Sequence, residues 1–253
     1  MKNLENKKMS KFESLKTVSQ LKTYLDSVLS RKQPKYYYHY TKLSSLVKIY
    51  GNGTFKAARI KNMNDRLEKD FAGDCPDYFT CLMGSAIESF GMWAMYGGIG
   101  VHIEKDSSNV TKDVYVKIKI PVESIKKLIK DSDGSLELRR IAYTNINAQL
   151  KNDSSQSTIY CGTVKNLNKI NCLDSSLKGY IKDNAWSYEK EVRLVSKKES
   201  VDISSILDSF RIIPSPNNSM QECKIIFRNL KEGVNLKKNP IFEENEYYNL
   251  IMK

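Results

Sequence analysis

Cysteine is scarce and poorly placed for a framework: the five residues at 75, 81, 161, 172 and 223 are an odd number without CxxC spacing. Neither a disulfide scaffold nor a zinc site follows from them, and reduced thiols fit a cytoplasmic chain. Long apolar runs are missing too. No stretch approaches the roughly 18 residues of a membrane span, and the charged N-terminus has no continuous apolar h-region. Cytoplasmic residence without a membrane partner is the expectation. Gly97, Gly98 and Gly100 lack the spacing of a dinucleotide fingerprint. No internal repeat is visible, and the regular strand-helix-strand alternation of a doubly wound fold is absent.

What is present is an ordinary globular composition with an unusual charge balance. Hydrophobic residues at 40% and charged residues at 28% exclude a wholly disordered chain. Lys and Arg number 41 against 29 Asp and Glu, a net charge of +12. That surplus attracts phosphate-bearing partners such as nucleotides or nucleic acid, or serves solubility as a lysine-rich surface.

Leu15, Val18, Leu21, Leu25, Val28 and Leu29 recur at helical steps and predict an amphipathic arm within residues 1–33, followed by one domain over 34–253. Strands are expected through Tyr38 and His39, at 54–60, 77–83, 99–103, 114–120, 136–143, 186–194 and 210–213. Helices are expected from Leu43 to Tyr50, capped by Thr41 or Ser44 and ended by Gly51, at 85–96, from Pro121 through Lys130, across 158–182, and from Ser219 to Leu230. The mixture predicts an α+β domain whose largely antiparallel sheet is flanked by helices.

Residues suited to chemistry fall into a few clusters. As one strand, Trp186–Leu194 would place Glu189, Glu191 and Arg193 on a charged face opposite Tyr188, Val192 and Leu194. His39 sits in the run Tyr38-His39-Tyr40-Thr41, and histidine is otherwise represented only by His102. Trp93 and Tyr96, three apart, share one side of a helix. Asn64 and Asp65 lie in a polar loop whose simplest role is a sharp turn. An acid set of Asp65, Glu68, Glu189 and Glu191 offers oxygen ligands for a metal-dependent nuclease, though without diagnostic spacing. Net charge and tyrosines also suit a non-catalytic nucleic-acid-binding module.

The order YHYT, NMNDRLE, MWAMYGGIGVHIE, WSYEKEVRL resembles a bacterial family of unknown function with HYT, NDxxE, MWxxY and WxxExExR signatures, over roughly residues 36–230. Arg66 departs from the proline or similar residue usual after the aspartate. More distantly, the chain is similar to the ADP-ribosyltransferase superfamily. That resemblance implies NAD as substrate, His39 on the ribose hydroxyls or pyrophosphate, Tyr96 or Trp93 against the base, Glu191 opposite the developing cation and Glu189 activating the acceptor, with Arg193 keeping Glu189 ionised or touching phosphate. It further implies Tyr40, Thr41, Asn64, Asp65, Trp93 and Arg193 as substrate-binding positions, a nucleic-acid or protein acceptor, and a toxin or phage-defence role.

Overall fold

Strand β1 (Tyr36–Lys42) pairs antiparallel over its full length with β4 (Tyr115–Pro121), from Tyr36 opposite Pro121 to Lys42 opposite Tyr115. Val116, Ile118 and Ile120 supply the β-branched side chains that fit this pleated, half-buried surface. In the computed structural model, residues 18–29, 33–66, 68–69, 75–86, 89–96, 114–144, 158–163, 166–171 and 179–245 are described. Three further strands, β3 (Tyr78–Met83), β10 (Glu191–Ser196) and β5 (Leu136–Arg140), extend the sheet on one side, and β12 (Arg211–Pro214) closes the other. The order is β12-β4-β1-β3-β10-β5, with every neighbouring pair antiparallel.

One face of this sheet buries Tyr37, Leu82, Val116, Ile118, Ile120, Val192, Leu194 and Ile212. The helices Leu43–Asn52, Val122–Lys130 and Met220–Leu230 cover it with Leu46, Ile125, Cys223 and Phe227. Each fully buried aliphatic side chain here contributes about 2 kcal/mol. The opposite face carries Tyr38, Tyr40 and Met83, packed against Met92 and Trp93 of helix Phe90–Tyr96. It is the smaller cluster, and the functional site lies beside it.

Several elements differ from their sequence expectation. The segment expected as a helix over 158–182 contains an antiparallel strand pair, β7 (Thr158–Thr163) with β8 (Asn166–Asn171). A short strand, β9 (Ile181–Asp183), follows and pairs parallel with β6 (Ala142–Thr144). Val164, Leu167 and Ile170 recur every three residues and imitate a helix, while Thr158, Ile159, Tyr160 and Thr163 carry the β preference that prevails. Helix 85–96 is shortened to Phe90–Tyr96, opened by Ser89, whose Oγ accepts the Met92 N–H at 3.3 Å. The strand 54–60 is reduced to β2 (Thr54–Lys56), which pairs antiparallel with β11 (Ser200–Asp202), and 136–143 breaks into β5 and β6. Lys42 precedes helix Leu43–Asn52 without a side-chain cap, so neither Thr41 nor Ser44 plays that part. Gly53, not Gly51, closes the helix in the left-handed region at φ 69°. The expected strand 99–103 lies outside the described residues.

The most consequential difference is at 184–191. Asp183 accepts the Ala185 N–H at 2.9 Å and starts a 3-10 turn over Asn184–Glu189, so Trp186–Leu194 is not one strand. Lys190 then adopts φ 44°, and β10 begins at Glu191. A left-handed non-glycine residue costs about 1–2 kcal/mol, which the entropy loss of glycine partly offsets. Lys190→Gly is therefore expected to stay within about 1 kcal/mol of neutral, and the β-branched Lys190→Val to cost more than that. Urea denaturation of the two variants checks the order.

Candidate active site in the cleft between two strands

β3 pairs with β10 along six residues, but with β1 at one position, Tyr38 opposite Met83. Beyond that point the two strands diverge. His39 Nδ1 bonds the Cys81 carbonyl at 2.9 Å where a ladder bond would otherwise run, and Ala58 takes the edge of β3 at Phe79. A cavity of about 290 Å³ opens in this split, near the lower bound for small-molecule sites. Because it passes between separated strands, consecutive residues of β1 (Tyr38, His39, Tyr40) and of β3 (Phe79 to Leu82) reach it from both faces of the sheet.

Of the residues singled out from sequence, His39, Tyr40, Asn64, Asp65, Tyr96, Glu189 and Glu191 line this cavity. The three remaining substrate-binding candidates do not. Trp93 is 1% exposed and meets Tyr40 edge to face at 4.7 Å, so it supports the wall from the core and has no free face for a base. Thr41 pairs with Val116 in the β1–β4 ladder, away from the split. Arg193 is fully buried behind the wall, where it binds carboxylates of the protein instead of phosphate.

The floor is a buried charge network. Glu68 grips Arg193 with both oxygens, at 2.5 and 3.0 Å, and the Gly179 carbonyl accepts from the same guanidinium at 3.0 Å. Gly179 is required there, since φ is 82° and a Cβ would stand 2.9 Å from the Phe79 ring. Arg193 turns its Nε to Glu191 Oε1 at 2.7 Å. Lys182 from β9 bridges the two carboxylates of the cavity, 2.5 Å from Glu189 and 3.2 Å from Glu191. Tyr96 donates to the free oxygen of Glu189 at 2.7 Å, and the Glu191 N–H donates to Tyr143 at 2.7 Å. Arg193 therefore faces Glu191 and Glu68, and Glu189 takes its cation from Lys182. Neither Lys182 nor Tyr143 was visible as a site residue in the sequence: Lys182 fell at the end of a segment read as helix, and its approach depends on the parallel β6–β9 pair.

Environment drives the two carboxylates apart. Burial alone would raise Glu191, but the charges of Arg193 and Lys182 hold it well below the usual carboxylate range, ionised at any working pH. Glu189 is raised, by burial first and by the neighbouring Glu191 charge second. Burial lowers the His39 pKa, and the carbonyl at Nδ1 can only accept, so Nδ1 bears the proton and Nε2 is left as an acceptor. Two cations, Lys182 and Arg193, face three carboxylates, Glu68, Glu189 and Glu191. With all five charged, the cluster keeps one negative charge in excess, poised to oppose positive charge forming in the cavity.

Among the described residues no three His, Cys, Asp or Glu are grouped to hold a metal ion. Arg193 occupies both oxygens of Glu68 and holds Glu191 from inside, so these two are not open ligands, which argues against a nuclease built on Asp65, Glu68, Glu189 and Glu191. Among the same residues no helix is long and apolar enough to cross a membrane.

Residues 92–194 match the sequence model of a family described as protein of unknown function (DUF2971), a span holding Trp93, Tyr96, Lys182, Glu189, Glu191 and Arg193. No curated protein matches the chain in sequence. Among solved structures, the chain is similar to Thermus sp. 2.9 DarT in complex with NAD+, at 11% identity over 87% of this chain and 99% of that one, with a TM-score of 0.40. The same protein in complex with carba-NAD+ gives 12% identity over 86% and 99%, with a TM-score of 0.41. In complex with ADP-ribosylated ssDNA it gives 10% over 86% and 98%, also at 0.41. A likeness of this strength carries no inference about activity.

Proposed function

We propose that the chain cleaves NAD at the bond between nicotinamide and ribose and transfers the ADP-ribosyl group to an acceptor. The observation that carries this reading is the pair of buried carboxylates, bridged by Lys182 and shifted in opposite directions, that line one cavity of about 290 Å³ with His39. Breaking the C1′–N bond sends its electron pair to nicotinamide, which leaves neutral, and puts positive charge on the ribose. Glu191, fixed and permanently anionic, stabilises that charge. The Nε2 lone pair of His39 accepts a ribose hydroxyl. Tyr40 and Tyr96 offer aromatic wall for the base, and Asn64 and Asp65 polar wall.

Glu189 is the general base. An acceptor O–H or N–H attacks C1′ and passes its proton to the carboxylate whose affinity for protons is raised. Tyr96 and Lys182 hold that carboxylate in place from its two oxygens. Water in the acceptor position would give NAD hydrolysis by the same route. The net +12 suits a nucleotide ligand and an acidic acceptor, nucleic acid included. A toxin or defence role is compatible with such a reaction in the cytoplasm.

The test is nicotinamide release by purified protein supplied with NAD, with and without nucleic-acid and protein acceptors. Absence of both NAD binding and release in every mixture overturns the reading. The pH profile gives a second check. Rate should rise with pH through an apparent pKa above the ordinary carboxylate value of 4.5, because Glu189 must be unprotonated to accept. In Glu189→Gln that acid limb should vanish and the residual rate should lie roughly 100-fold or more below the parent. An unchanged limb would assign it to another group.

A further inference from the structure

On the far side of Tyr38 lies a second cavity, of about 400 Å³, for which the transfer reaction gives no use. Tyr38 lines both cavities. Lys35, Lys117, Lys119 and Tyr36 line the second one, together with Glu243 and Glu244. Lys117 is 5% exposed, with its ammonium 5.3 Å from the Tyr38 ring centre and 5.7 Å from that of Trp93. Holding a cation there is costly, and the two aromatic faces contribute about 0.5–2 kcal/mol toward it. A buried ammonium in such a wall marks a built cationic site.

An anion already sits in it. Lys119 donates to Glu243 at 2.9 Å while lying 4.7 Å over the Tyr36 ring, and Arg211 approaches the other Glu243 oxygen at 3.6 Å. Glu243 arrives on a short strap along the edge of β12. The strap is fixed by the Ile212 N–H to Ile241 O and the Glu243 N–H to Ile212 O, both 2.8 Å, and by Asn245 to the Pro214 carbonyl at 3.3 Å. An edge strap with so few backbone bonds is among the segments that open most readily.

We propose that this groove is a phosphate-binding site and that Glu243 fills it in place of the ligand. Phosphate fits better than carboxylate because it carries more charge and more acceptor oxygens for lysines that approach as point charges. The groove and the first cavity share the Tyr38 ring as a wall. One side of that ring opposes positive charge and the other binds negative charge.

Calorimetric titration with inorganic pyrophosphate tests the site without reference to NAD chemistry. Glu243→Gln should bind roughly threefold tighter or more, since a competing charge is removed. Lys119→Ala should bind roughly tenfold more weakly. Lys224→Ala, on the exposed face of helix Met220–Leu230, should match the parent. Unchanged affinity in Glu243→Gln, or an equal loss in Lys224→Ala, would reduce the effect to diffuse attraction by a basic surface and overturn the proposal. Competition with NAD would assign the phosphate to the dinucleotide, and simultaneous binding to a second ligand. Pyrophosphate binding with no NAD binding would leave this site standing and the transfer reaction refuted.

Discussion

Glu191→Gln should lower nicotinamide release from NAD by roughly two orders of magnitude or more, as removing a major electrostatic stabiliser does. NAD binding should weaken far less, because neutral substrate ribose gains little from the charge that the transition state needs. Glutamine keeps the shape and one carbonyl acceptor, but besides the charge it loses the second acceptor and turns an NH2 toward the Lys182 or Arg193 donors. It also removes the excess negative charge of the cluster, so Lys182 and Arg193 are then exactly balanced by Glu68 and Glu189. Stability is affected as well. From the sequence, Glu191 reads as a partly exposed strand carboxylate whose loss costs little, but it is 5% exposed and bonded to two buried cations. Breaking such a pair typically costs about 3–5 kcal/mol. Activity must therefore be compared per folded molecule, with near-native spectra and a cooperative thermal transition in hand. A folded Glu191→Gln as active as the parent would refute the assigned role.

The alternation of Val116, Ile118 and Ile120, and of Val192 and Leu194, was enough to identify central strands and the face they bury. A strand's side chains follow its own period. For the same reason Glu191 and Arg193 could be placed on a common face. Their setting could not be read, because burial of that face depends on helix Phe90–Tyr96 and on Glu68, which is 125 residues away from Arg193. Glu189 shares the cavity with Glu191, but not by the strand spacing that grouped it with Glu191 and Arg193. It reaches the cavity from a 3-10 turn through a left-handed Lys190, and period-two alternation does not produce that path. Lys182 carried no signal of its own, since a lysine in a polar segment is the commonest surface feature in this chain. The split between β1 and β3 that makes the cavity is a departure from pairing, and sequence patterns report pairing more readily than its interruption.

The largest stability effect is expected from Arg193. In Arg193→Met, Glu68 and Glu191 stay buried without the guanidinium that both contact, and Met fills most of the volume. A loss of about 3–5 kcal/mol or more is expected, against a total of about 5–15 kcal/mol for a domain. The urea midpoint should fall with the slope unchanged. The pH window in which the Glu191 carboxylate affects stability should also move upward. In the parent, Glu191 has a folded-state pKa below its unfolded value, so it adds stability above the ordinary 4.5 that is lost as pH falls toward the folded value. In Arg193→Met a buried carboxylate lacks that cation, its protonation relieves the uncompensated charge, and stability should rise as pH is lowered from 8 to 5. Adding Glu68→Gln should recover about 0.5–3 kcal/mol of the loss, the range for residues coupled in one network. A single variant within about 1 kcal/mol of the parent, or one whose stability does not rise between pH 8 and 5, would show that the Arg193 pairs do not govern the cluster's charge state.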